Sequence, residues 1–166
     1  MIARLMFAYV DFAARKGLAD SSARDSSAPG SSVALAEKKR RARRTGIRGE
    51  SYAYWYLRRQ GYTLVARNFT SPGAKGEIDL IGYDHGTLAF VEVKTRAART
   101  KSDDPRPEDA VNLEKRRNLV RMARQFVRAR RADAIPYRFD VLAIETRPGA
   151  RPILRLHKGA FRPDTF

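Results

Sequence analysis

The chain has no cysteine among its 166 residues. Disulfides, thiolate-bound zinc, iron–sulfur clusters and a cysteine nucleophile are therefore excluded. Histidine is almost as scarce, with only His85 and His157. A histidine-rich metal site is excluded, and a Ser-His-Asp triad would have to use one of these two. His85 falls in a turn, and His157 has no triad partner near it in the sequence. No apolar run approaches the roughly 18 residues that argue for a membrane-spanning helix. Leu5–Val10 is apolar, but Asp11 interrupts it and no clean small-residue cleavage site follows. The expectation is a cytoplasmic protein without a signal peptide or transmembrane segment.

Acidic residues are also few. Eighteen Asp and Glu face 34 Lys and Arg, a net charge of +16 and a pI near 10.9. Such a field attracts polyanions. Residues 1–48 hold eleven Lys/Arg against four Asp/Glu, so both they and the remainder are basic. Asp20–Ser32 is a low-complexity polar stretch and reads as a flexible linker. The run EKKRRARRTGIR at 37–48 reads either as a solvated arm or as an arm that grips phosphates. The expected organisation is a flexible basic extension over 1–45, one domain over 46–160 and a tail over 161–166.

From Gly49 the pattern is that of an α/β domain. GESYAYWYLRRQ at 49–60 spaces Tyr52, Trp55 and Tyr56 about one turn apart, which predicts a helix, and Gly61 ends it. These aromatics are expected in the core rather than stacked on bases. Strands are predicted at Tyr62–Asn68, Glu77–Tyr83 and Thr87–Lys94, with a hairpin turn at Asp84-His85-Gly86. A polar loop follows over Thr95–Arg106. A long helix is predicted over Pro107–Arg131, with Val111, Leu119, Ala123 and Phe126 as apolar positions. Strands at Arg138–Glu145 and Arg151–Lys158 complete the order α-β-β-β-α-β-β. The helix can return the chain parallel to an earlier strand, giving a mixed sheet flanked by helices.

The hairpin carries the chemistry. A two-residue loop pairs Asp84 with Thr87. Counting back, Asp79 lies opposite Glu92, and Glu77 opposite Lys94. A three-residue loop would throw Glu92 to the other face. Apolar residues occupy both faces of both strands, so the sheet should be covered on both sides. Charges there are costly unless paired or metal-bound. Two adjacent carboxylates repel each other unless a cation lies between them or one takes a proton. Such a pair with waters suits Mg²⁺ or Mn²⁺. Lys94, on the same face as Glu92, can orient an attacking water. The chemistry this set fits is phosphodiester hydrolysis. The competing reading of alternating strand charges is a solvated face.

Three stretches carry a resemblance: GIRGESYAYWYLRRQGYTLVARNF at 46–69, GEIDLIGYDHGTLAFVEVKTR at 76–96, and RFDVLAI at 138–144. Together they resemble the bacterial YraN family, whose fold resembles the restriction-endonuclease core and is similar to archaeal Holliday-junction resolvases. Gly76–Ile81 and Phe90–Arg96 are the most specific blocks. The wider nuclease group often has Pro before the first Asp, where this chain has Ile78. The resemblance implies that Asp79 and Glu92 bind the metal, with the Val93 carbonyl as a further ligand. It implies that Lys94 positions the water, that Glu50 completes the site directly or through water, and that Glu77 supports the ligands. Glu50 otherwise reads as a carboxylate favoured at a helix start, and Glu77 as a strand-end charge.

The second helix carries Lys115, Arg116, Arg117, Arg121, Arg124, Arg128, Arg130 and Arg131. Arg117, Arg121, Arg124 and Arg128 recur at helical spacing and form either a phosphate-tracking stripe or a solvated face. Lys115 joins that expected nucleic-acid surface, as do Arg96, Arg99 and Lys101 after Lys94. Phosphate contacts of this kind give affinity without sequence preference. The leading reading is a Mg²⁺- or Mn²⁺-dependent endonuclease acting on DNA rather than RNA, with branched or damaged DNA as the candidate substrates. The alternative is a non-catalytic nucleic-acid-binding module of the same fold. A third is a peripheral binder of anionic membranes through residues 1–48. A resolvase-like enzyme needs two sites, so the resemblance also implies a homodimer.

Overall fold

Five extended segments pair into one mixed sheet in the computed structural model, which describes residues 49–97, 111–147 and 150–163. The expected arm over 1–45, the basic run 37–48, Arg99, Lys101 and Pro107 lie outside the described residues. In chain order the elements are α1 (49–59), β1 (Thr63–Phe69), β2 (Ile78–Asp84), β3 (Thr87–Ala97), α2 (Leu113–Ala129), β4 (Tyr137–Thr146) and β5 (Ile153–Phe161). Spatial order follows chain order, β1-β2-β3-β4-β5. β3 and β4 run parallel, and the other neighbours are antiparallel. A parallel pair needs a long crossover, and α2 supplies it. This is the α/β class and the element order expected from the sequence.

Three boundaries differ by three residues or more. β3 continues to Ala97 instead of stopping at Lys94, because its backbone stays paired with β4 as far as Ala97↔Thr146. Arg96 is thus a strand residue, not a loop residue. α2 starts at Leu113 rather than Pro107. Asn112 is extended, with ψ of 161°, and its side chain accepts the Lys115 backbone N–H at 2.9 Å, so it caps the helix. β5 reaches Phe161, whose ring stacks on Phe139 at 4.7 Å between centroids.

Each sheet face has its own core. On one side α2 buries Leu119, Met122, Ala123 and Phe126 against Ile81, Leu88, Phe90 and Phe139. Phe126 meets Phe69 and Phe90 edge-on at 5.1 and 5.9 Å. On the other side α1 buries Tyr52, Ala53 and Leu57 against Leu80, Ala89, Val91 and Leu142. Each large side chain so buried contributes about 1.5–3 kcal/mol. Tyr52 is core as expected; Trp55 and Tyr56 are only half-buried. β1 bulges between Leu64 and Ala66, and Gly82 lies under that bulge. A Cβ on Gly82 would come within 2.7 Å of Leu64 Cδ2 and 2.9 Å of the Thr63 carbonyl.

The α1 face also encloses a charged network that the sequence pattern did not reveal. Asp140 is 0% exposed. It accepts from Arg138 Nε at 2.9 Å, from the Tyr62 hydroxyl at 3.1 Å and from the Gly159 N–H at 2.9 Å. Asp84 receives Lys158 Nζ at 2.6 Å and Arg138 Nη2 at 2.5 Å. Burial, then the Asp140 charge, pushes the Tyr62 phenol well above its ordinary range. The Lys158 hydrogen bond, reinforced by Arg138, outweighs burial and holds Asp84 below the usual carboxylate range.

Removing Arg138 leaves the buried Asp140 without its cation and Asp84 with Lys158 alone. Arg138→Met is expected to destabilise the fold by about 3 kcal/mol, measured by urea unfolding, as breaking a buried ion pair does. Asp84 stabilises the fold above its unfolded-state pKa, and that contribution is lost as pH falls through its lower folded pKa. Asp84→Asn should therefore flatten the acid limb of the stability–pH curve below about pH 4.

Candidate functional site

The β2–β3 hairpin sets the site. Its pairs run from Asp84↔Thr87 to Leu80↔Val91, which is the two-residue loop expected from the sequence. His85 supports the turn with φ of 53° and projects into solvent. The paired register ends at Leu80↔Val91, and Asp79 and Glu92 are the next residues on the two strands. Both carboxylates are buried, Asp79 at 8% and Glu92 at 4% exposure. Asp79 Oδ2 accepts the Val93 backbone N–H at 2.6 Å, which ties the strands together at this point.

Two ammonium groups flank Glu92. Lys94 Nζ lies 2.9 Å from Oε1, as the shared face predicts. Lys115 Nζ lies 3.2 Å from Oε2 and donates to the Glu77 carbonyl at 3.1 Å. Oε2 is buried without a hydrogen bond among the described residues, so the Lys115 contact is a charge contact out of hydrogen-bond line. Sequence spacing placed Lys115 with the phosphate-contacting cations; the structure brings it to the carboxylates. The N-cap at Asn112 is the only local signal for this, because it sets Lys115 in the first turn of α2.

Glu50 reaches this end of the sheet from the opposite side. Gly49 packs on Thr95, so closely that a Cβ would meet Thr95 Oγ1 at 2.1 Å. That close approach carries the start of α1 to β3. Burial, repulsion from Glu92 and, more weakly, the Glu50 charge push Asp79 up to about 7, against the lowering pull of the Val93 N–H and Lys115. Glu77 contributes its carbonyl to Lys115.

No group of three or more His, Asp or Glu among the described residues is placed to hold a metal ion. A cation here would draw on Asp79, Glu92, the Val93 carbonyl and water. Mg²⁺ accepts such a set, since it keeps several waters and usually takes one or two carboxylates. The orphaned, buried Glu92 Oε2 is an oxygen suited to that role.

The cations of α2 divide by position. Arg117, Arg121, Arg124 and Arg128 are exposed along one side of the helix. Arg121 also donates to the Gly73 carbonyl at 3.0 Å, and Gln125 to the Pro72 carbonyl at 3.3 Å. With Lys115 on Glu77, these bonds lace residues 72–77 along α2. Arg96 is half-buried on β3.

Asp79 makes a direct observable in the metal-free protein. Its carboxyl carbon is expected to titrate near pH 7 by NMR. Glu92→Gln removes a repelling charge and should move that midpoint down. Because the folded pKa is raised, ionising Asp79 costs stability as pH rises between roughly 4 and 7.

Residues 49–144 match the model of a family described as Uncharacterised protein family UPF0102. A UPF0102 protein of Koribacter versatilis is 45% identical over 119 residues, covering 71% of this chain and 79% of that one. One from Solibacter usitatus is 45% identical over 113 residues, covering 68% and 82%. One from Symbiobacterium thermophilum is 41% identical over 120 residues, covering 72% and 98%. The match takes in both helices, β1 to β3 and most of β4. The chain therefore belongs to the UPF0102 family, the YraN family that its hairpin blocks resemble.

Proposed function

We propose that this chain is a metal-dependent endonuclease that hydrolyses phosphodiester bonds in DNA. The observation that carries the reading is the buried Asp79–Glu92 pair with Lys94 Nζ 2.9 Å from Glu92. A structural role alone gives no reason to bury two acids beside each other and raise one toward neutrality. Asp79, Glu92 and the Val93 carbonyl would hold Mg²⁺ or Mn²⁺. When bound, that ion supplies Lewis-acid polarisation of a phosphate ester. Lys94 is half-exposed at the edge of the pair, where its ammonium can orient an attacking water. Glu50 supports the site from α1, directly or through water. Branched or damaged DNA and a homodimer belong to the same proposal, drawn from the family resemblance, and a cytoplasmic setting, drawn from the sequence, goes with them.

The exposed arginines of α2 supply the polyanion contact. Arg128 lies eleven positions beyond Arg117, roughly 16 Å along the helix, enough to meet two or three successive phosphates. The absence of acid from Lys115 to Arg131 keeps that surface uniformly positive. Among the described residues no helix is long and apolar enough to cross a membrane. The second reading, a nucleic-acid-binding module without turnover, draws on the same stripe, which needs no carboxylate to bind phosphate.

A panel of single-stranded, duplex, flapped and four-way-junction DNA, with RNA alongside, tests the proposal in Mg²⁺ or Mn²⁺ at low salt. Cleavage is expected from the wild type and should be lost in Lys94→Ala, with most binding retained. Binding without cleavage in the wild type would select the second reading. Arg121→Ala with Arg124→Ala should weaken binding and reduce the salt slope by about 2. An unchanged slope would place the binding surface elsewhere.

A further inference from the structure

Charge balance around Glu92 raises a question for any cation that binds there. Glu92 already meets two ammonium groups, Lys94 at 2.9 Å and Lys115 at 3.2 Å. A dication added to both lysines would leave the cluster strongly positive in a buried place. One ammonium has to yield. Lys94 stands two residues from Glu92 on the same strand, so the sheet fixes its neighbourhood. Lys115 comes from a different element, so the strand does not hold it, and although less exposed than Lys94, 27% against 39%, its side chain still reaches solvent. Its contact with the buried Oε2 is not a hydrogen bond among the described residues, so little directional energy holds it there.

The surroundings fit a replaceable ammonium. Lys115 Nζ sits between the end of the β1–β2 loop and the carboxylate, bonded to the Glu77 carbonyl. Gly76, at φ +85°, presents no side chain to it; a Cβ there would be in ordinary van der Waals contact with Nζ at 3.8 Å. The ammonium is therefore not clamped by side chains at that residue.

We propose that Lys115 is the resident counter-ion of the site: its ammonium stands beside Glu92 Oε2 where a divalent cation binds, and that cation displaces it toward solvent. The proposal rests on the metal reading above. Lys115 balances Glu92 while the site is without metal, so the fold tolerates a buried acid pair. It also makes the cation compete with an internal positive charge, which weakens metal affinity.

Calorimetric titration of Mn²⁺ into the full metal-free chain tests this without any activity assay. Lys115→Met is expected to bind Mn²⁺ about tenfold more tightly than the wild type, having lost the competing charge. Its metal-free melting temperature should be lower than the wild type's, and Mn²⁺ should raise it by more. Lys115→Gln carries the same expectation if the Met variant fails to fold. Glu92→Gln, run in parallel, should lose most of the Mn²⁺ binding. Unchanged or weaker affinity in a folded Lys115 variant would overturn the counter-ion role while leaving the metal reading intact. Absence of Mn²⁺ binding in the wild type and both Lys115 variants would overturn the metal reading and this proposal together.

Discussion

The buried negative charge of Glu92 sets the terms for its surroundings. An isolated carboxylate in such a place costs several kcal/mol. The structure meets that cost with Lys94 from the same strand and Lys115 from α2. The second contact matters for the architecture. It joins the first turn of the crossover helix to the sheet at the point where the helix begins. The Asn112 cap and the buried Val111 just before it fix the same place. The helix register that buries Leu119, Met122 and Phe126 is thus the one that delivers a lysine to Glu92.

β3 is the strand on which both faces depend. It is central in the sheet, pairs antiparallel with β2 and parallel with β4, and alternates its contribution to the two cores. Leu88 and Phe90 belong to the α2 side, and Ala89 and Val91 to the α1 side. Glu92 continues the first series, so it emerges under α2. The charged network of Asp84, Arg138, Asp140 and Lys158 uses the other face. Separate faces let the molecule carry two buried charge clusters without direct contact between them. The network is fully partnered and reads as structural. The pair at Asp79 and Glu92 retains an oxygen without a hydrogen bond and a carboxyl raised to about 7. That difference in satisfaction, rather than burial alone, is the reason for proposing the hairpin pair as the chemical site.

The arginine stripe adds a direction to this picture. It runs from the neighbourhood of Lys115 along the exposed side of α2. Residues 72–77 lie against the same helix, held by Lys115, Arg121 and Gln125 through backbone carbonyls. Backbone acceptors do not depend on side-chain identity in that loop, so the lacing asks only for its path. Arg121 takes part in both the lacing and the proposed phosphate surface, which couples loop position to the binding face. Membership of the UPF0102 family covers 49–144, the segment that contains all of these groups.

The hairpin register was legible because side chains alternate with period two and the turn has two residues. Those facts carry the register from Asp84↔Thr87 to Leu80↔Val91, next to Asp79 and Glu92, and put Lys94 on the Glu92 face. Apolar residues on both sides of β2 and β3 likewise announced a sheet covered twice, and the crossover helix made a parallel β3–β4 pair natural. The sequence pattern points to a start of α2 at Pro107, since a proline suits a first turn, and only the extended Asn112 backbone reveals the cap. The end of β3 was placed early, since polar Thr95 and Arg96 look like loop until β4 pairs with them. Lys115 and the Asp140 network stayed hidden for a common reason. Their contacts join residues far apart in the chain, 23 positions for Lys115 and Glu92 and 78 for Tyr62 and Asp140. Local periodicity determines which face a residue takes on its own element. Which cation then meets which acid is decided only when the helix docks on the sheet.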